Sequence, residues 1–158
     1  VIRTGALPED GVIARPLGKL TMVNCASPHY LTRFGYPQSP DDLTSHAIVR
    51  YTPHLGVHPL GFEVASVNGV QWFKSGGMLT VNSRENYLAA GLAGLGIIQI
   101  PRIAVREALR AGRLIEVLPS YRAEPLSLSL VYPQRRELSR RVNLFMQWLA
   151  GVMKEYLD

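Results

Sequence analysis

Residues 11–35 read GVIARPLGKLTMVNCASPHYLTRFG. Two apolar stretches separated by Pro16-Leu17-Gly18 predict two strands, or one long bent strand, ending near Ala26. Ser27 then offers an N-cap, Pro28 occupies the first helical position and Gly35 closes a short helix. Strand followed directly by capped helix is the unit from which α/β proteins are built.

The same alternation continues downstream. Ser39-Pro40 starts a second helical turn, with Asp41 and Asp42 at its positive end. AIVRY (47–51) is a strand, and TPHLGVHPL (52–60) is too rich in proline and glycine to be regular. FEVAS and QWFKS flank Asn68-Gly69, the signature of a tight hairpin turn. GMLTVN (77–82) is a further strand, after which Asn82 caps a helix and Glu85 closes a loose capping box. GIIQI (96–100) is a strand, Pro101 opens a helix that ends at Gly112, and LIEVL (114–118) is strand-like. PLSLSLVYP (125–133) alternates as a half-exposed strand does. From about Glu137 a long helix places Leu138, Val142, Phe145, Leu149, Val152 and Tyr156 on one face, which is expected to be buried. VIRTG (1–5) reads as the end of a strand entering a loop.

The 158 residues are enough for one domain or two small lobes, and 47% hydrophobic with 18% charged residues are globular proportions. Seventeen basic against twelve acidic residues give a net charge of +5, which suits an anionic ligand or nucleic acid. The basic residues are scattered, however, except Arg135-Arg136 and Arg140-Arg141, which read as a solvated helix face. Cys25 is the only cysteine, so no intrachain disulfide forms. It lies in an apolar stretch and reads as a small core residue, consistent with a reducing compartment. No signal-peptide order opens the chain, and the apolar run Tyr87 to Ile100 is short and broken by glycines. The expectation is a soluble, cytoplasmic protein without membrane contact.

Several stretches suggest chemistry that their context does not support. GLAGLG (91–96) follows a helix and precedes a strand, the reverse of the dinucleotide-binding order, so its glycines read as C-caps and close-packing positions. His54 and His58 stand four apart, but Gly56 and the flanking prolines argue against a helix, and no third ligand follows at metal-binding spacing. His29 and His46 have no evident partner. No nucleophile elbow and no cysteine–histidine pairing is present, so no catalytic set assembles. RRELSRR (135–141) attracts phosphates, but the final helix is too apolar for a DNA-reading helix pair. What remains is the rule that open α/β sheets hold ligands beyond the carboxyl ends of their strands, against helix N-termini. Those ends are Arg3-Thr4-Gly5, Tyr51-Thr52, Asn82-Ser83 and Ile100-Pro101. The short polar groups of Thr4, Thr52, Asn82 and Ser83 suit a small polar or anionic ligand bound without chemistry.

DGVIARPLGKLTMVNCASPHYLTRFGYPQSPDDLTSH (10–46), VNSRENYLAAGLAGLGIIQIP (81–101), EALRAGRLIEVLP (107–119) and LSLVYPQRRELSRRVNLFMQWL (128–149) together resemble the effector-binding domain of LysR-type transcriptional regulators. CASPHYL followed by a Pro-x-x-Leu helix start, and Gly-Leu-Gly-Ile running into a proline, are especially typical. The resemblance covers nearly the whole chain and implies a type 2 periplasmic-binding-protein-like α/β fold. In that fold two Rossmann-like lobes are joined by two crossover strands, with an effector cleft between them. It implies that residues 1–17 belong to the first lobe, 18–120 form the second, and 121–158 return to the first. The family's winged helix-turn-helix, its linker helix and the opening elements of the first lobe have no counterpart in these residues, so the first lobe is expected to be incomplete.

The resemblance further implies a sensor of a small molecule, possibly anionic, that acts as a homo-oligomer. DNA would be bound only through the helix-turn-helix lying outside this stretch. The implied effector positions are those near Arg3, Thr4, Thr52, Asn82, Ser83, Ile100 and Pro101; no role is carried onto His54 or His58. No catalytic residue, metal ligand or cofactor is expected. A stand-alone solute-binding protein of the same fold is the nearest rival, and a small α/β enzyme a more distant one.

Overall fold

The structure is a computed structural model that describes residues 1–5, 12–52, 61–133 and 139–157. The HLGVH stretch with His54 and His58, the turn carrying Glu9 and Asp10, and residues 135–138 lie outside the described residues. The described chain falls into two units, one of Val1–Thr21 with Pro125–Asp158 and one of Met22–Glu124. The expected cut at 17/18 falls inside a strand, β2 (Val12–Leu20), and the division comes instead between β2 and β3 (Met22–Ala26).

In the first unit, β10 (Leu126–Pro133) lies between β1 (Ile2–Thr4) and β2, antiparallel to both. The register slips by one residue where Leu128 faces Gly18 and Ser129 faces Pro16, so Leu17 is the extra residue of a bulge. A bulge accommodates a proline that cannot donate to the ladder, which is why Pro16-Leu17-Gly18 bends the strand without ending it.

The last helix, α4 (Arg140–Met153), is capped by Ser139, whose hydroxyl accepts from the Val142 amide at 3.4 Å. Its expected buried face is only partly covered. Met146 is buried and Leu149 half-buried, whereas Val142, Phe145, Val152 and Tyr156 are exposed, as are Leu144 and Trp148. A three- and four-residue period identifies an apolar stripe, but burial needs a neighbour, and the unit supplies one only along the Met146 line.

The second unit is built on a sheet joined across a single bridge. β4 (Ala47–Tyr51) and β7 (Gly76–Val81) pair in parallel, while β3 pairs antiparallel with β8 (Ile98–Pro101) and with the short β9 (Ile115–Glu116). A parallel bridge between Ile48 and Ile97 connects the two sets, with Val49 N–H donating to the Ile97 carbonyl at 3.0 Å and Ile97 N–H to the Ala47 carbonyl at 2.9 Å. The strand order is therefore β7-β4-β8-β3-β9. Alternation along the strands sends side chains to two cores. Val49, Ile98 and Cys25 pack with Tyr87 and Ala90 of α2 (Arg84–Leu92) and Val105 and Ala108 of α3 (Arg102–Arg110). Ile48, Ile97 and Ala26 pack with Tyr30 and Leu31 of α1 (Pro28–Phe34) and with Phe62 and Val64 of the hairpin.

Local signals are borne out at α1, where Ser27 accepts from the Tyr30 amide at 3.2 Å and Gly35 ends the helix. Ser39 and Asp42 form a capping box on the 3-10 turn Pro40–Ser45. The hairpin is β5 (Phe62–Ser66) with β6 (Gly69–Phe73), but its two-residue turn is Val67-Asn68. Gly69 already pairs with Ser66, at a φ of +105°. The expected strand over 114–118 shortens to the two residues of β9.

The glycines of 91–96 act as caps and packing positions. Leu95 N–H reaches the Ala90 carbonyl and Gly94 N–H the Gly91 carbonyl, closing α2 with Gly94 at a φ of +77°. Cys25 is fully buried, and burial, with a lesser contribution from Glu116, pushes its thiol up to about 12. His46, which had no evident partner, is buried with its Nδ1 3.0 Å from the Tyr30 hydroxyl, which also accepts from the Ala47 amide at 2.9 Å. Among the described residues no helix is long and apolar enough to cross a membrane.

Two predictions follow from this packing. A Cβ at Gly96 would stand 2.6 Å from the Ala47 carbonyl oxygen, whereas one at Gly91 would meet the movable Cδ1 of Ile98. Gly96→Ala is expected to cost about 1–3 kcal/mol in chemical denaturation and Gly91→Ala less. Burial holds His46 below its ordinary value of 6.5, with Asp42 opposing in part. The unfolded chain therefore takes up this proton first, and the stability linked to His46 is intact above about pH 6.5 and declines as the pH falls through that value. Denaturation midpoints between about pH 7 and pH 5 should fall less steeply in His46→Gln than in the parent, with His46 titrating near its ordinary value in the unfolded chain.

Candidate functional site

The ends of β4 and β7 meet because the strands run in parallel and stop together. Thr52 N–H donates to the Val81 carbonyl at 2.9 Å, which places Thr52 beside Asn82 and Ser83. Thr52 is buried, Asn82 exposed and Ser83 half-buried. The cap of α2 is Ser83, not Asn82: its hydroxyl accepts from the Asn86 amide at 3.1 Å, and the box with Glu85 does not form. Val81 is the last residue of β7, so the chain needs the extended residue Asn82 before it can turn into the helix. Ser83 keeps its hydroxyl proton for donation while the oxygen serves the cap.

β8 runs in the same direction as β4, through the Ile48–Ile97 bridge, and ends at Pro101 on the same edge of the sheet. Pro101 is half-buried and precedes α3, whose N-terminus has no side-chain cap. The expected start of that helix at Pro101 moves to Arg102. Ile100 is 6% exposed and packs in the core with Val23 and Val105, so only its backbone is available to this edge. Thr52, Asn82, Ser83 and Pro101 are thus brought to one edge of the second unit. Arg3, exposed, and Thr4, half-buried, end β1 in the first unit, opposite Ser129 and Leu128.

Charge at this edge is partly neutralised. Glu116 binds Arg102 at 2.7 Å and Arg122 at 2.6 Å, a group of two cations and one anion. A separate concavity of about 230 Å³, lined by Tyr36, Pro37, Ser120 and Tyr121 among others, lies against the chain between β9 and β10. It includes none of the expected site residues.

A polar network that the sequence reading did not single out frames the edge. Gln99 on β8 donates from its amide nitrogen to Asn24 Oδ1 at 3.0 Å and to the Glu63 carbonyl at 2.6 Å, and accepts from Glu63 N–H at 3.2 Å. Asn24 Nδ2 donates to the carbonyls of Leu118, at 3.2 Å, and Tyr121, at 2.9 Å. The Tyr87 hydroxyl accepts from Gln99 N–H at 2.8 Å, and burial drives its acidity well out of the ordinary phenol range. The available signal was an amide inside each of two otherwise apolar strands, MVNCA and GIIQI, since a buried amide requires partners.

The arrangement offers hydrogen-bond donors and acceptors without an assembled nucleophile and base. Cys25 is sealed in the core, and among the described residues no three histidine, cysteine, aspartate or glutamate side chains gather as metal ligands. What the edge can do chemically is bind.

Comparison with known proteins agrees in sequence and in fold. Residues 1–154 match the family described as the LysR substrate binding domain. The chain is 98% identical over 158 residues to the HTH-type transcriptional regulator YhjC of Escherichia coli (strain K12), covering 100% of this chain and 53% of that protein. It is 31% identical over 157 residues to the HTH-type transcriptional activator AaeR of the same strain, covering 98% of this chain and 50% of that protein. The regulatory domain of CrgA, a LysR-type transcriptional regulator from Neisseria meningitidis, superposes with a TM-score of 0.77 at 26% identity, over 96% of this chain and 73% of that one. The chain spans about half the length of the two sequence relatives. Mixed α/β architecture, the extent of the family match and these likenesses lead to one assignment: the chain belongs to the LysR family, as its substrate-binding domain, with the type 2 periplasmic-binding-protein-like fold.

Proposed function

We propose that this chain senses a small-molecule effector on behalf of a LysR-type transcriptional regulator, and that it binds without catalysing a reaction. The observation that carries the reading is the match of residues 1–154 to a regulator's substrate-binding domain. The relatives are named as transcriptional regulators, which favours neither the solute-binding nor the enzyme alternative. Met22–Glu124 is read as the second effector lobe, and residues 1–21 with 125–158 as belonging to the first. Arg3, Thr4, Thr52, Asn82, Ser83 and the backbone at Ile100-Pro101 are the proposed effector contacts. Support comes from the shared edge on which Thr52, Asn82, Ser83 and Pro101 stand, next to two helix N-termini, a setting that suits a small polar or anionic molecule. The net charge of +5 favours the anionic case.

An effector regulates only if it binds one arrangement of the protein more tightly than another. The differential affinity sets the coupling that a homo-oligomer transmits to DNA-binding segments outside these residues. In this reading the protein works in the cytoplasm, where its DNA targets are.

A thermal-shift screen of carboxylates, aromatic acids and amino acids tests sensing directly. A true effector raises the melting temperature in a saturable way and is recovered unchanged; turnover of a screened compound sinks the reading. With an effector in hand, Ser83→Ala and Thr4→Val are each expected to weaken its binding about 5- to 30-fold, the loss of one hydrogen bond to a polar ligand. Ser139→Ala is the control, because it removes the cap of α4 at a similar stability cost, about 0.5–2 kcal/mol, and should leave affinity unchanged. Equal affinity in all three variants would remove Ser83 and Thr4 from the site.

A further inference from the structure

Arg50 stands in β4 opposite Thr80 of β7, on the same face as Ile48. Its half-buried side chain turns back along the strand, and Nη2 donates to the Ser75 carbonyl at 3.1 Å. The guanidinium can lie there because Gly77 has no side chain. A Cβ at that position would stand 3.1 Å from Arg50 Nε and 3.3 Å from Cζ.

Two donors at this spot have no acceptor. Arg50 Nε and Ser75 Oγ are both buried and unpartnered, although one bond already joins the two residues. No carboxylate pairs with Arg50 among the described residues, which contrasts with Arg102 and Arg122 sharing Glu116. A guanidinium stays charged at any physiological pH, so burial makes the missing acceptor costly. An N–H and an O–H beside one positive charge are complementary to an anion and not to a cation or a neutral donor. The burial of both atoms limits the guest to a single small atom at the contact. β7 is the outer strand of the sheet, so the spot lies near an edge that a small ion can reach.

We propose that Arg50 Nε and Ser75 Oγ form an anion site in the second unit, in the cradle left by Gly77, which takes one monovalent anion through a halide or a carboxylate oxygen. The site does not depend on the effector reading. It belongs to the hairpin-to-β7 connection, whereas the proposed effector contacts stand at the carboxyl ends of the strands.

The side-chain Nε–H resonance of Arg50 reads the site in the intact, 15N-labelled chain. Sodium chloride and sodium acetate are titrated separately, and the other arginine Nε–H resonances report the general effect of ionic strength. A saturable shift of Arg50 beyond the others is expected. Saturation by chloride alone identifies a halide site, and saturation by acetate a site that admits carboxylates. Ser75→Ala should raise the saturation midpoint roughly 3- to 10-fold, as loss of one hydrogen bond requires. If Arg50 moves no more than the other arginines in either salt, or Ser75→Ala leaves the midpoint unchanged, the proposal is overturned.

Discussion

The second unit depends on one narrow junction. β4 with β7, and β8 with β3 and β9, would be separate ribbons without the Ile48–Ile97 bridge and its two backbone bonds to Ala47 and Val49. Gly96 makes that approach possible, since any side chain there would collide with the Ala47 carbonyl. Once joined, the parallel strands β4, β7 and β8 end along one edge, and both helices that follow begin there. Two cores on opposite faces then hold the sheet, each fed by alternate residues of the same strands. The position of the candidate site is therefore a consequence of backbone pairing more than of any one side chain.

Buried polar groups add a second constraint. Gln99 and Asn24 link three strands and the chain after β9, with each amide nitrogen and oxygen engaged. Such a network penalises any slip of β8 against β3, because a one-residue shift would leave several buried groups unpaired at once. Arg50 and Ser75 form the contrasting case: here the fold buries donors and leaves them without acceptors. The first cluster is explained by stability alone. The second is not, and it points outside the chain for its partner.

Signals within a few residues were legible in the sequence. Ser27, Pro28 and Gly35 specify α1 through local backbone chemistry, and the same holds for Ser39 with Asp42. Cys25 in its apolar strand and the glycines after α2 also behave as their context predicts. The misplaced features share a different cause. Asn82 and Ser83 are both good caps, and only the exact end of β7 decides between them. The α4 stripe was read from its period as buried, yet Phe145 and Trp148 remain exposed because burial depends on what the rest of the fold lays against them. His46 had no visible partner because Tyr30 lies on an element whose packing against β4 is tertiary.

By itself the sequence determined the strand and helix alternation, most helix ends, and the motifs that tie the chain to its family. These rest on local geometry, on periodicity, and on residue patterns that survive in order along the chain. Only the tertiary structure decided that Ile48 meets Ile97, that Asn24 bonds Gln99 across a separation of 75 residues, and that Arg50 and Ser75 are left without acceptors. Those outcomes depend on which distant backbones approach within hydrogen-bonding distance. No local pattern encodes that, because the same strand can pair with different neighbours at almost equal local cost.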